Sequence, residues 1–248
     1  MFTGGILLII SYICSSIYAR TDISDITLKN CSNCRYIYNK SGTKLFADFD
    51  MSEKADRFAV FYLGYGCNLQ AVTQLQNFYL KQNTGVISIY ANGYLKSCGK
   101  KKQSDAVLKD DLECWLSLIS DMFGQKSKII LHGFSSTALS CFLCSKSNQV
   151  VIDALIIDTP YIFPVYLYKD IKNKFILRFF KKKSRVNIPE TSISTLIISS
   201  KTQSKDSYKI YESCTKEKSL YIYDKLDLNE YTNKLETFLL RHSKLPEE

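Results

Sequence analysis

The feature that most constrains the fold is a series of short apolar runs, each followed by a segment of helical periodicity. A continuous apolar run bounded by turn residues is typical of a strand buried on both faces. These runs are "RFAVFYLG" (57–64), "GVISIYANGY" (85–94), "SKIILHGF" (127–134), "VVIDALIIDTPY" (150–161), "STLIISSK" (194–201) and "SLYIYDK" (219–225). Between them, "NLQAVTQLQNFYLKQ" (68–82) and "SDAVLKDDLECWLSLISDMF" (104–123) have helical spacing. The alternation predicts an α/β fold with a mainly parallel central sheet flanked by helices.

The 248 residues divide into four predicted regions. Residues 1–19 carry no charge and are mostly apolar, as in a signal peptide or an N-terminal membrane anchor. Residues 20–56 contain "RYIYNKSGTKLFADFD" (35–50), whose alternation around a Ser-Gly turn predicts a hairpin. Residues 57–241 form the α/β domain, and residues 242–248 form a tail.

The most specific chemical signal lies in "IILHGFSSTA" (129–138), where an apolar strand ends in Gly133-Phe134-Ser135. A serine nucleophile on a tight strand-to-helix turn has the pattern Gly-x-Ser-x-Gly, because glycine permits the turn and a close helix. Thr137 replaces the last glycine, and we expect it to add strain. The pattern predicts Ser135 at the tip of a strand, as a nucleophile or as an ordinary N-cap of the next helix.

Two upstream segments extend this pattern, "LGYG" at Leu63–Gly66 and "YANGYLKSCG" at Tyr90–Gly99. They resemble the His-Gly-Asn loop and the Asp-Tyr-Arg-Gly-Tyr-Gly-x-Ser-x-Gly segment of α/β-hydrolase-domain serine hydrolases, the membrane-anchored group that includes protein depalmitoylases. The resemblance extends from Arg57 to Leu240. The residues in step within the second segment are Gly93, Tyr94, Ser97 and Gly99. The resemblance implies an α/β-hydrolase fold with Ser135 at the nucleophile position.

The same resemblance places an oxyanion hole at the backbone of Gly64, Tyr65 and Ser136. Such a hole needs only N–H groups, so it can persist although Leu63 stands where the group has histidine.

The resemblance also implies where the acid and the histidine of a catalytic triad belong, after the last two strands. Gln203 stands at the acid position, and Asp206 follows three residues later. The histidine position is held by Asp227 or by Leu226. The triad is therefore degenerate at two of its three positions.

Two histidines are present in the whole chain. His132 precedes the turn on a strand, where alternation points its side chain away from Ser135, which predicts a core or polar-partner role. His242 lies beyond the terminal helix, well past the expected position. A serine hydroxyl is a poor nucleophile until a base takes its proton, and loss of a triad member costs about 10⁴ in turnover.

These residues favour a catalytically impaired pseudohydrolase that acts by binding a ligand, a membrane or a protein. An acyl or lipid ligand would lie near Ser135, and no cofactor or metal is expected. The alternative is an active serine esterase or thioesterase in which Ser135 is served by His242 or Asp227 as base and Asp206 as orienting acid. A third hypothesis is a structural or host-interaction protein that acts through a basic segment alone.

That basic segment is "YKDIKNKFILRFFKKKSR" (168–185), in a predicted cap at residues 165–190. Lys169–Arg185 contains eight basic residues and one acid, interleaved with phenylalanines, which could lie on an anionic membrane surface. The formal net charge is +9, but no nucleic-acid recognition motif is present, so no nucleic-acid partner is expected.

The leader predicts entry into the secretory pathway, as a secreted or a membrane-anchored lumenal or extracellular protein. Glycosylation sequons at Asn30 and Asn39 fit that location. Nine cysteines are present, and removal of Cys14 with the leader leaves an even number that permits disulfides.

Two cysteine pairs are closely spaced in the sequence. Cys31 and Cys34 form a lone C-x-x-C, which favours a disulfide over a zinc site. Cys141 and Cys144 share a predicted helix face and are expected to be buried thiols.

Overall fold

A computed structural model of the chain describes residues 33–51, 55–99, 104–124, 127–146, 151–160 and 188–243. These residues belong to one compact unit, Asn33–Ile162 with Val186–Glu248. A second unit, Met1–Ser32 with Phe163–Arg185, lies outside the described residues. The predicted leader, the sequon at Asn30 and most of the predicted cap segment therefore also lie outside them.

The unit is built on an eight-stranded sheet. Its strands are β1 (Cys34–Tyr38), β2 (Lys44–Asp50), β3 (Arg57–Leu63), β4 (Gly85–Tyr90), β5 (Lys128–Phe134), β6 (Ile152–Asp158), β7 (Ser194–Ser200) and β8 (Lys218–Tyr223). Their order is β1-β2-β4-β3-β5-β6-β7-β8. The pairs β1–β2 and β2–β4 are antiparallel, and the other neighbours are parallel. The predicted α/β architecture with a mainly parallel sheet is confirmed.

Side chains cap the beginnings of three of the five described helices. The described α-helices are α1 (Leu69–Lys81), α2 (Asp105–Phe123), α3 (Ala138–Cys144), α4 (Ser204–Ser213) and α5 (Leu228–Ser243). The Asn68 side chain accepts hydrogen bonds from the first N–H groups of α1. Ser104 caps α2 by accepting a hydrogen bond from the N–H of Val107. The buried stripe of α2 contains Leu108, Leu112, Trp115, Leu116 and Ile119, so the period of 3.6 residues does set its inner face.

The helices cover both faces of the sheet, because successive strand residues point to opposite sides. On β5, His132 contacts Tyr231 of α5, whereas Gly133 lies against Cys141 of α3. On β3, Phe61 contacts Tyr79 of α1, whereas the Tyr62 hydroxyl bonds the backbone of α2. Because Phe61 and His132 are in register, α1 and α5 share one face, and α2 and α3 share the other.

A buried polar cluster attaches the hairpin to α2. The Asn39 Nδ2 donates to Asp111 Oδ1 at 2.7 Å, and Asn92 Nδ2 donates to Asp111 Oδ2 at 3.1 Å. The Asn39 Oδ1 accepts from the backbone N–H groups of Ser41 and Thr43, which closes the hairpin turn. Asn39 is 8% exposed, so its amide group lies inside this cluster.

Six of the described cysteines are free thiols: Cys67, Cys98, Cys114, Cys141, Cys144 and Cys214. Cys141 and Cys144 are buried, as predicted, and burial raises the pKa of both thiols. Cys31, the C-x-x-C partner of Cys34, lies outside the described residues, so their predicted disulfide stays a prediction. Across the helices that the structure describes, none is both long and apolar enough to span a bilayer.

Candidate active site

Strand β5 leads into a sharp turn that presents Ser135. Residues Ser135–Thr137 form one turn of 3₁₀ helix, and α3 follows directly. Ser135 has φ 50°, a left-handed conformation that a residue with a side chain adopts only under strain. A Cβ on Gly133 would lie 2.6 Å from Cys141 Sγ, so glycine is required for the close approach of α3. The predicted strand-turn-helix is present, and Ser135 is not the N-cap of α3, which is Thr137.

Thr137 occupies the position of the second glycine without strain, so the expectation of strain there was wrong. Its φ is −98°, and its hydroxyl donates to the Tyr62 carbonyl at 2.5 Å while accepting from the Phe134 N–H at 3.2 Å. The space for its methyl group comes from Gly64, where a Cβ would lie 2.6 Å from Thr137 Cγ2. The glycine that makes room for this contact is therefore Gly64 in the facing loop, and the turn itself has a threonine at position 137.

The predicted oxyanion loop lies against the turn. The N–H of Gly64 donates to Cys67 Sγ at 3.3 Å, and the Cys67 N–H donates to the Gly64 carbonyl at 3.2 Å, which closes a tight loop. A Cβ on Gly66 would lie 2.3 Å from Ser135 Oγ, so this backbone contacts the serine side chain. A Cβ on Gly64 would lie 2.8 Å from Ser136 Oγ. Gly64 and Ser136 are thus adjacent, and their oxyanion role stays a prediction.

The second segment of the family resemblance supports this loop. The Tyr65 hydroxyl donates to the Gly93 carbonyl at 2.5 Å, and the rings of Tyr65 and Tyr94 meet edge to face at 5.2 Å. The Ser97 hydroxyl bonds the Tyr90 carbonyl at 2.7 Å and accepts from β2. Residues matched to the serine-hydrolase pattern therefore position the loop that contains Tyr65.

A cavity of about 280 Å³ opens at Ser135. Its described walls are Gly66, Cys67, Asn68, Ala71, Phe134, Ser135, Asp158, Thr159, Ser200, Gln203, Tyr223, Leu226 and Tyr231. Gln203 and Leu226, each one of two residues considered for the acid and the histidine positions, therefore line the same cavity as Ser135. Within the described part of the chain, no group of three or more His, Cys, Asp or Glu side chains is placed to hold a metal ion.

The two other carboxylates considered from the sequence have different surroundings. Asp206 lies in the first turn of α4, with a carboxylate oxygen 3.8 Å from the Lys209 ammonium. Asp227 accepts the N–H groups of Asn229 at 2.9 Å and Glu230 at 3.3 Å, so it caps α5. Neither Asp206 nor Asp227 is among the described residues of the cavity wall.

Sequence reasoning missed Asp158, the carboxylate that does line the cavity. It ends β6, opposite Phe134 of β5. Its Oδ1 accepts from the Thr159 hydroxyl at 2.6 Å, and its Oδ2 accepts from the Tyr231 hydroxyl at 3.0 Å. Burial raises its pKa to about 6 although both bonds act in the opposite direction. The signal in the sequence was an aspartate that directly follows the apolar run of a parallel strand.

His132 is a buried partner of this carboxylate network, as its place on the strand predicted. Its ring stacks on Phe61 and Phe134 with centroid distances of 5.1 and 4.1 Å, and its Nε2 lies 3.0 Å from Tyr231 Oη. Because the Tyr231 hydroxyl donates to Asp158, His132 Nε2–H donates to Tyr231. The Nδ1 atom has no partner among the described residues. Burial lowers the pKa of His132 to about 3, so it is neutral near pH 7.

The second histidine is remote from the cavity along the backbone. The terminal helix α5 includes His242, which was expected beyond it. Tyr231, at the cavity, precedes His242 by 11 positions in that helix. At about 1.5 Å per residue, the two backbones are ~16 Å apart along the axis.

The chain matches no family model, and no curated protein matches it. Its strand order and turn nevertheless place it among proteins of the α/β-hydrolase fold, which many solved structures share. The esterase Pf2001 of Pyrococcus furiosus is 19% identical with a TM-score of 0.66, over 84% of this chain and 91% of that one. Est1E of Butyrivibrio proteoclasticus, with ferulic acid bound, is 16% identical with a TM-score of 0.68, over 85% and 100%. An α/β serine hydrolase homologue of Coxiella burnetii is 13% identical with a TM-score of 0.61, over 87% and 98%.

Proposed function

We propose that this protein is a pseudohydrolase, whose cavity at Ser135 binds a ligand instead of hydrolysing an ester. One observation carries the proposal: no imidazole is among the described groups that line the cavity. The family resemblance implies an acid at position 203 or 206 and a histidine at position 226 or 227, and none of these four residues is a histidine. His132, the nearer histidine in the chain, lies under Phe134 and bonds to Tyr231 instead of Ser135.

The chemistry follows from the missing base. A serine hydroxyl attacks an ester only when a neighbouring group takes its proton. Removal of one triad member costs about 10⁴ in turnover, and the remaining rate comes from binding and oxyanion stabilisation. Asp158, the carboxylate of the cavity wall, is held by Thr159 and Tyr231, and no hydrogen bond of the Ser135 hydroxyl is among those described. Substrate-like ligands would be bound by such a site and released unchanged.

The ligand we favour is small and carries an acyl or lipid-like apolar part. The cavity of about 280 Å³ is at the lower end of ligand-site volumes, which start near 300 Å³. Phe134, Leu226 and Tyr223 supply apolar wall, and Gln203 supplies an amide. The esterase names of the structural neighbours are consistent with descent from an acyl-binding enzyme.

The proposal also covers the cellular location of the protein and the contacts of its basic segment. We propose that residues 1–19 direct the chain into the secretory pathway and that Lys169–Arg185 contacts an anionic membrane or a protein. The support is the composition of these segments. Binding to anionic vesicles should fall when Lys181, Lys182 and Lys183 are changed to glutamine, and unchanged binding would exclude this membrane contact.

A second candidate function, serine esterase or thioesterase, is favoured by the retained turn. Ser135 keeps a strained φ of 50°, and Gly66 still contacts its side chain, which is the arrangement a nucleophile needs.

Labelling with a fluorophosphonate probe separates the two functions. The proposal predicts that the intact protein is labelled no faster than its Ser135→Ala variant. Rapid labelling that disappears in Ser135→Ala would establish a reactive nucleophile and overturn the proposal. Ser136→Ala is the matched control, since it removes the adjacent hydroxyl but leaves Ser135 in place.

A further inference from the structure

We propose that the cavity at Ser135 selects a small organic ammonium ion, which Asp158 binds, an inference that rests on the proposed binding function of that cavity. Nothing in the resemblance to serine hydrolases assigns a role to this aspartate. Four features of the described residues carry the inference: the charges of the wall, its backbone strain, its aromatic rings and the neutrality of the groups around Asp158.

The charged side chains among the described residues of the cavity wall are all acidic. Asp158 is the one carboxylate among the described lining residues, and these residues include no lysine or arginine. No described basic side chain forms an ion pair with it. Each carboxylate oxygen accepts one hydrogen bond, from Thr159 or Tyr231, although it has two lone-pair sites. The site therefore has acceptor capacity and negative charge for a cationic donor.

The backbone of the cavity wall is strained next to Asp158. Two residues with side chains in the cavity wall have positive φ, Ser135 and Thr159, both at 50°. They follow the carboxyl ends of the adjacent parallel strands β5 and β6. A β-branched residue with positive φ is strained and persists where the surroundings hold it. The strain places the Thr159 hydroxyl 2.6 Å from Asp158, so the carboxylate is held in one position.

The cavity wall also contains aromatic rings, which suit the binding of an organic ammonium ion. Phe134, Tyr223 and Tyr231 all line the cavity with Asp158. Ring faces attract ammonium ions, and the attraction is stronger where the pair is removed from water. An anionic carboxylate between aromatic walls favours an organic cation over a neutral alcohol, and it repels the carboxylate that ester hydrolysis would release.

The titratable neighbours of Asp158 stay neutral, so the charge of the site follows Asp158 alone. Burial raises the pKa of Tyr231 on α5, of Tyr223 on β8 and of Cys67 in the oxyanion loop. His132 on β5, behind Tyr231, has its pKa lowered to about 3. With a pKa of about 6, Asp158 goes from about nine-tenths ionised at pH 7 to about one-tenth at pH 5.

The test is calorimetric titration of the full chain with benzylamine, benzyl alcohol and benzoate, which share a ring and differ in charge. We expect benzylamine to bind at pH 7 at least about tenfold more tightly than either analogue and to lose about tenfold between pH 7 and pH 5. Displacement by ethanolamine would support a free amine as the natural ligand, and displacement by phosphatidylethanolamine vesicles would support a lipid headgroup.

Variants assign the effect to one carboxylate. Asp158→Asn should remove the preference for benzylamine and its pH dependence, whereas Asp110→Asn, the same charge change on α2 outside the cavity wall, should leave both unchanged. Equal binding of benzoate, or benzylamine affinity that does not change with pH, overturns the proposal in the unmodified protein, whatever the folding of the variants. Fluorophosphonate labelling at Ser135 would instead overturn the proposed binding function and leave the amine preference to these titrations.

Discussion

Asp158→Asn should make the protein more stable at neutral pH. Burial raises the carboxyl pKa from 3.8 to about 6 in the folded state. A raised carboxyl pKa means that the folded state binds more protons than the unfolded state between these values, so stability falls as the pH rises from about 4 to about 6. A difference of about two pKa units corresponds to ~3 kcal/mol at pH 7. The asparagine carries no charge and so avoids this cost.

Part of that gain is offset in the variant. An amide offers one oxygen, so one of the bonds from Thr159 and Tyr231 loses its acceptor, at a cost of about 1 kcal/mol. We therefore expect a net stabilisation of about 2 kcal/mol at pH 7 and a slight destabilisation at pH 4. Asp105, whose pKa burial also raises to about 6, is present in both proteins and cancels in the difference.

The assay is urea denaturation of both proteins at pH 4 and pH 7, with the free energy of unfolding as the readout. The difference between the proteins should change by about 2.5 kcal/mol between the two pH values. A difference that is the same at both pH values would show that Asp158 is not held with a raised pKa. A variant that is more stable but no longer selects benzylamine would show that the residue is kept for binding at a cost in stability.

Two further predictions concern the turn at Ser135 and the proposed lack of a base for its hydroxyl. Gly66→Ala should destabilise the protein by about 1–3 kcal/mol more than Gly42→Ala in urea denaturation, because the new methyl group would overlap the Ser135 hydroxyl. Both glycines have positive φ, 89° and 74°, but Gly42 has open space around it, so equal losses would contradict the contact. The pair Gln203→Asp with Leu226→His should raise ester hydrolysis by at least about 10²-fold, measured with p-nitrophenyl acetate. The gain should vanish when Ser135→Ala is added, and no gain would show that these positions do not face the hydroxyl.

The strands and helices could be predicted from sequence because burial alone sets their periodicity. Continuous apolar runs gave the parallel strands, and the spacing of Leu112, Trp115 and Leu116 gave the inner face of α2. The turn at Ser135 was also predictable, since a glycine at 133 permits the close contact with Cys141. Each of these features depends on neighbours within a few residues.

The remainder of the site depends on contacts between distant parts of the chain. Thr137 fits without strain because Gly64, on another strand end, lacks a side chain. Asp158 is defined by Tyr231, 73 residues later, and by His132 on the adjacent strand. A single sequence does not show which polar side chain on α5 will meet which strand end. The resemblance directed attention to the ends of the last two strands, whereas the carboxylate of the cavity wall ends the strand before them.

Steady-state hydrolysis of p-nitrophenyl acetate by the unmodified protein and by Ser135→Ala tests the central claim most directly. This ester has a leaving group that needs no proton, so its cleavage depends mainly on whether Ser135 is activated. The account predicts that the two proteins give the same rate, close to that of buffer. A rate at least about 10²-fold above that of Ser135→Ala would mean that a base does serve this hydroxyl, and the protein would then be an esterase.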